Sequence, residues 1–209
     1  MIGSNTRRWA GRIALLGALA AVAQIASAGL YPRAAPPGSA FVRVFNATNQ
    51  ANVSGKVGDK AIPATPPMDA STYVFVDPGE KPASVGSQQQ NIKFDGSRCY
   101  TLAVTPNGIQ SFEQDCFNSQ LKSLLSVFNL IDGASVNVRI AESGTKVIED
   151  VAPKSSGHRE VNPAKATLAV YNGDTKIGDA KPMQLERGKV FSLFVTGSAS
   201  DPKLAWVIN

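Results

Sequence analysis

The triplet Val44-Phe45-Asn46 recurs 83 positions later as Val127-Phe128-Asn129, and at the same offset Val53 meets Val136 and Val57 meets Ile140. Further on, Tyr100-Thr101-Leu102-Ala103-Val104-Thr105 resembles Phe191-Ser192-Leu193-Phe194-Val195-Thr196 at an offset of 91. The drift from 83 to 91 places about eight extra residues in the second copy. Asp95-Gly96 and Arg187-Gly188 occupy similar turns ahead of those two segments. Ordered matches at a nearly constant offset mark an internal repeat, although generic strand chemistry also produces three-residue matches. As a repeat, the chain is two related modules, 39–117 and 122–209, joined by a linker at 118–121.

The local pattern says what each module is made of. Phe41–Phe45, Val53–Val57, Thr72–Val76 and Cys99–Thr105 are short apolar or alternating runs. Each is closed by turn residues: Asn46 to Gln50, Gly58-Asp59, Asp77-Pro78-Gly79 and Pro106-Asn107-Gly108. Such spacing and punctuation predict an all-β chain. About 80 residues per module suit seven or so short strands in a small antiparallel β-sandwich. The one helical patch that the pattern allows is Asn118 to Leu125.

The N-terminus follows export grammar. Arg7, Arg8 and Arg12 precede an apolar run from Ile13 to Ile25, and Ala26-Ser27-Ala28 is a small-x-small cleavage site. Spanning a bilayer takes about 20 apolar residues, more than this run supplies. The expectation is a signal peptide over 1–28, then an extended Pro/Gly-rich lead-in over 29–38, with the mature chain in the periplasm. Removing the three leader arginines from the 21 basic residues leaves 18 against 16 acids, a net charge of +2. That balance gives no reason to expect a nucleic-acid partner.

Two cysteines in an oxidising compartment suggest a bridge. Asn107-Gly108, a strong hairpin dipeptide, lies midway between Cys99 and Cys116. A symmetric hairpin about it sets the cysteines directly opposite each other, with Cα atoms about 4.5 Å apart at a non-hydrogen-bonded pair. A structural disulfide is the expectation. A reactive thiol is the alternative, without a C-x-x-C spacing or nearby His to support it.

A hydrolase or transferase nucleophile needs a base. The single histidine is His158, in Ser155-Ser156-Gly157-His158-Arg159-Glu160. Ser155 or Ser156 with His158 is the one nucleophile–base pair on offer, and a polar turn between strands reads the same way. No G-x-S-x-G elbow, D-x-D-x-D-G loop or phosphate-cradling glycine loop is present, so no cofactor or metal is expected. Tyr31, Tyr73, Phe112, Phe117, Tyr171 and Trp206 are either core residues or sugar-stacking aromatics.

Glu160 to Tyr171, Lys176 to Pro182, Leu185-Glu186-Arg187-Gly188 and Val195-Thr196-Gly197-Ser198 closely resemble the family of the alginate biosynthesis protein AlgF, as do Gly29-Leu30-Tyr31-Pro32 and Gly38 to Val44. The match is densest in the second half and poor over roughly 80–122, where the cysteines lie. The resemblance implies a non-catalytic periplasmic accessory of exopolysaccharide O-acetylation, most naturally of alginate. Its implied partners are a periplasmic polysaccharide O-acetyltransferase, a membrane-bound O-acyltransferase and the anionic polysaccharide itself. Arg43, Arg139, Arg159 and Arg187, with Tyr171, are then the candidate polymer contacts through charge-assisted hydrogen bonds. Solvated strand or turn charge is the alternative for each. An acetyl-transfer enzyme or acetyl carrier built on Ser155 or Ser156 with His158, and a stand-alone carbohydrate-binding module, are the rival functions.

Overall fold

A computed structural model describes residues 35–179 and 182–209. The signal peptide expected over 1–28 and the first part of the lead-in lie outside them.

The chain is all-β, and no helix occurs among the described residues. Eight strands make the first module: β1 Ala40–Asn46, β2 Val53–Val57, β3 Lys60–Thr65, β4 Val74–Val76, β5 Gly79–Val85, β6 Gln88–Phe94, β7 Arg98–Thr105 and β8 Gly108–Asp115. They form two sheets, ordered β4-β1-β7-β8 and β3-β2-β5-β6. The second module contains β9 Ser123–Asn129, β10 Val136–Ile140, β11 Lys146–Val151, β12 Ser156–Val161, β13 Lys165–Ala166, β14 Leu168–Asn172, β15 Thr175–Asp179, β16 Met183–Gln184, β17 Val190–Gly197 and β18 Pro202–Ile208. Its sheets run β12-β9-β17-β18 and β11-β10-β14-β15, with β13 paired to β16.

The two modules follow one plan. Val44 lies beside Leu102 in the parallel pair β1·β7, and Val127 beside Leu193 in the parallel pair β9·β17. These positions stand at the offsets 83 and 91. Lys165↔Gln184 and Ala166↔Met183 take the places of Glu80↔Lys93 and Lys81↔Ile92. The second copy therefore has β5 and β6 each broken in two. The parallel pair at the centre of the sheets β4-β1-β7-β8 and β12-β9-β17-β18 departs from the purely antiparallel sandwich that the spacing suggested.

The repeated asparagine explains why the triplet persists. Asn46 is fully buried; its amide donates to the carbonyls of Gln50 and Thr65 (3.1 Å each), and its Oδ1 accepts from the Thr48 N–H at 3.0 Å. Asn129 is also fully buried and does the same with Ala134 (2.7 Å), Val151 (2.9 Å) and the Ile131 N–H (3.0 Å). Each closes a turn and ties it to the end of the facing sheet, satisfying backbone groups that burial would otherwise leave unpaired.

Each module has its own core. Val42, Val44, Val57, Val85, Phe94 and Leu102 are central to the first, and Leu125, Val127, Val138, Val170, Leu193 and Val195 to the second. Gly55 is needed in the first: a Cβ there would lie 1.9 Å from the Ser84 carbonyl oxygen, so only glycine lets β2 and β5 pair this closely. A third cluster joins Phe45, Ala103 and Phe112 of one module to Phe128, Phe194, Ala205 and Val207 of the other. The sheets β4-β1-β7-β8 and β12-β9-β17-β18 thus pack on each other as well as on their own partners. This is why β1, β7, β9 and β17 are buried almost throughout rather than at alternate residues.

Two local expectations are corrected. The helical patch at Asn118 to Leu125 is a bend that runs into β9. Ser119 Oγ accepts from the N–H groups of Leu121 (3.3 Å) and Lys122 (3.2 Å) and closes the bend, while the residues that follow are drawn into β9, which is paired on both sides by β12 and β17. The cysteines are not directly opposite: Cys99 faces Gln114, because Thr105 pairs with Gly108 and Pro106-Asn107 forms the loop. Proline lacks an N–H and has a preset φ, so it suits the first loop position better than a ladder position. The Cys99–Cys116 disulfide forms all the same, with a Cα–Cα distance of 5.1 Å.

Candidate functional site

Arg43 sits at the middle of β1 and faces the other module. Its Nε donates to Thr101 Oγ1 at 3.0 Å, its Nη2 to Ser192 Oγ at 2.8 Å, and its Nη1 to Asn209 Oδ1. The guanidinium also lies 5.1 Å from the Tyr73 ring centre, 5.8 Å from Phe128 and 5.9 Å from Phe194. It has 0% exposure. Arg43 is therefore not a polymer contact: its planar fork and stacking faces are used up in holding the modules together.

The other candidates stay near the surface, and two of them, Arg139 and Tyr171, meet. Arg139 lies 4.5 Å over the Tyr171 ring and pairs with Asp174 at 2.8 Å. That hydrogen bond and charge hold the Asp174 carboxyl below its ordinary range. Arg159 is exposed and donates to the Val147 carbonyl at 3.2 Å. Since Arg139 pairs in register with Lys146, Arg139 and Arg159 flank opposite sides of β11. Arg187 is in the exposed turn before β17.

Neither candidate serine is hydrogen-bonded to the histidine, and Ser156, two residues from it on β12, is half-buried. Ser155 Oγ donates to the Ala152 carbonyl at 2.7 Å, closing the turn into β12. His158 is exposed on β12, and the residue across from it is Ser126 of β9. Ser126 has 0% exposure, so an acyl donor in solvent does not reach its hydroxyl. Among the described residues, no three His, Cys, Asp or Glu side chains gather as a cation site.

A cleft of about 490 Å³ opens at the end of the inter-module seam opposite Asn209. The first module contributes Asn49, Met68, Asn107 and Gln110, and the second contributes Asp132, Lys154 and Lys203. Lys154 pairs with Asp132 at 3.1 Å, and Gln110 Nε2 reaches the Lys154 carbonyl at 3.4 Å across the boundary. The sequence places Asn49 and Asn107 in turns but does not show that the turns of both copies meet. The signal was the Phe-Asn repeat itself: equivalent turns follow equivalent strands.

Residues 13–192 match the family described as alginate O-acetyl transferase AlgF. The chain belongs to the AlgF family. It is 42% identical over 208 residues to the alginate biosynthesis protein AlgF of Pseudomonas fluorescens, covering 98% of this chain and 95% of that one. The solved C-terminal domain of AlgF from P. aeruginosa is 42% identical, covers 43% of this chain and 99% of its own length, and gives a TM-score of 0.39. The solved N-terminal domain is 35% identical, covers 38% and 98%, and gives 0.34. The AlgF family takes part in alginate biosynthesis and O-acetylation. Among the described residues, no helix is long and apolar enough to cross a membrane.

Proposed function

We propose that this AlgF-family chain is a non-catalytic periplasmic adaptor for O-acetylation of alginate, built of two modules over 39–117 and 122–209 with a linker at 118–121. It docks a periplasmic acetyltransferase that performs the acyl transfer, downstream of a membrane-bound O-acyltransferase that delivers acetyl groups. The family description names a transferase; in this reading the transfer belongs to the assembly and the reacting groups to the partner.

The observation that carries the reading is the state of the serines around His158. One is tied into a turn, and the one across the strand is sealed in the seam. General-base catalysis needs a nucleophile within hydrogen-bond reach of the base and open to substrate; Ser155 is held in its turn, Ser126 is buried, and the half-buried Ser156, two residues from His158 on β12, makes no hydrogen bond to it. The seam supports the same reading, since two modules fused through a buried layer present fixed surfaces to partners. Direct polymer contact has less behind it, because Arg43 is buried and Arg139, stacked on Tyr171, is already paired with Asp174.

The test is a purified chain incubated with an activated acetyl ester and oligouronate, alongside complementation of a deletion strain with His158→Ala. The expected result is no acyl transfer in vitro and full polymer acetylation in the cell, with the wild-type chain binding the purified acetyltransferase. Acyl transfer at enzymatic rates, abolished by His158→Ala, would overturn the adaptor.

A further inference from the structure

Leu121 and Ile208 are the large apolar side chains left exposed among the described residues, at 71% and 54%. They are far apart in sequence, yet both lie at one end of the sheet β12-β9-β17-β18. Leu121 belongs to the bend before β9, which is fixed to the turn before β17: the Gly188 N–H donates to the Lys122 carbonyl at 2.8 Å, and the Leu124 N–H to the Lys189 carbonyl at 3.0 Å. Ile208 ends β18 and pairs with Phe191, one residue along from Val190, whose N–H donates to the Asn209 oxygen at 3.0 Å.

The same end is basic. Lys122, Arg187 and Lys189 come from the bend and the turn, and Lys165 lies beside them across β16. The acids here are Glu160 and Glu186. Every ion pair among the described residues uses other cations. Lys122 reaches the Asn162 amide oxygen at 2.6 Å, whereas Arg187 and Lys189 are exposed. Elsewhere Arg98, Arg139, Lys93, Lys146 and Lys176 are neutralised by neighbouring carboxylates, and the other cations outside any ion pair, Lys56, Lys81, Arg159 and Lys203, are not accompanied by an exposed large apolar side chain.

We propose that this end of the second module is the docking surface for the partner acetyltransferase, and that it receives a protein face with an apolar centre and an acidic rim. The inference rests on the adaptor reading and adds the surface and the partner's chemistry. Charge complementarity selects the occupant, since exposed unpaired cations attract carboxylates and steer their approach. The apolar pair selects a protein over a polyuronate, which carries carboxylates but no apolar face to cover Leu121 and Ile208. Apolar contact ringed by charge is also how protein interfaces are arranged.

The experiment measures binding of the full exported chain to the purified acetyltransferase for wild type, Leu121→Glu/Ile208→Glu and Arg187→Glu/Lys189→Glu, with far-UV circular dichroism as the folding control. All four positions are exposed, so the fold is expected to survive. Each double variant is expected to bind at least tenfold more weakly, and wild-type affinity to fall as salt rises. Wild type binding and both variants binding equally well would overturn this surface and leave the adaptor reading standing. No wild-type binding would overturn the adaptor reading and this surface with it. A loss of binding to oligouronate or to anionic vesicles, with acetyltransferase binding unchanged, would reassign the surface to those ligands and overturn the protein occupant.

Discussion

Arg43 of the first module donates through Nη2 to Ser192 Oγ of the second at 2.8 Å, with no solvent exposure at either residue. A buried guanidinium is expensive unless all of its donors are used. Here the acceptors come from both modules, so the charge is satisfied only when the two are docked. The bond therefore couples the stability of one module to the other.

Arg43→Met keeps the stem and removes the donors, leaving Thr101, Ser192 and Asn209 without their partner. It is expected to cost about 3 kcal/mol. In a chain starting at Gly29, Trp206 fluorescence reports the second module and far-UV circular dichroism reports both. The two urea transitions are expected to coincide in wild type and separate in the variant. Arg43→Lys is expected to be nearly as damaging, because an ammonium cannot reproduce the fork.

Phe194 is stacked between Phe45, at 3.6 Å between ring centres, and Phe128, at 4.5 Å. Phe194→Ala empties the middle of the seam and is expected to cost about 3–5 kcal/mol. The check is the same pair of denaturation curves, and loss of partner binding should accompany module separation.

The strand class, the two copies and the disulfide were all legible, because each is a local or periodic property. Val53–Val57 reads as a strand from alternation alone, and the 83-residue offset needs no structure. The seam was not legible. Phe45, Phe128 and Phe194 look like ordinary core residues, and nothing in a one-dimensional pattern says that the outer faces of two sheets pack on each other. Arg43 misled for the same reason: an arginine on a strand is usually solvated, and its burial is a consequence of the second module. Pro106 shifted the hairpin by its missing N–H, which the Asn-Gly signal outweighed on paper. The cleft and the Leu121–Ile208 end exist only once turns distant in sequence are brought together.

Asn46 and Asn129 each satisfy three backbone groups, all buried at Asn129, and one buried and two half-buried at Asn46. Asn129→Ala strands the Ala134 and Val151 carbonyls and the Ile131 N–H, for an expected loss of about 2–3 kcal/mol. Asn46→Ala should cost a similar amount through the equivalent groups. Chemical denaturation of the two single variants checks the equivalence; a large cost at one site and none at the other would mean the repeat is not energetically symmetric.

The Cys99–Cys116 bridge closes a 17-residue separation. In the chain-entropy account a loop of that size is worth about 3 kcal/mol. Cys99→Ala/Cys116→Ala is expected to lower the urea midpoint accordingly, and a reducing agent should shift wild type toward the variant while leaving the variant unmoved.

The Arg139–Asp174 pair predicts a small acid dependence. The hydrogen bond and charge from Arg139 lower the folded-state value of Asp174 below its ordinary 3.8. Its contribution to stability is therefore complete above that value and is lost as pH falls through the folded one. The pair is exposed on the Asp174 side, so solvent keeps the effect modest. Carbon-13 NMR of the Asp174 carboxyl is expected to titrate below 3.8 in wild type and to return toward it in Arg139→Gln. An unchanged midpoint in that variant would show that Arg139 is not what holds the carboxylate.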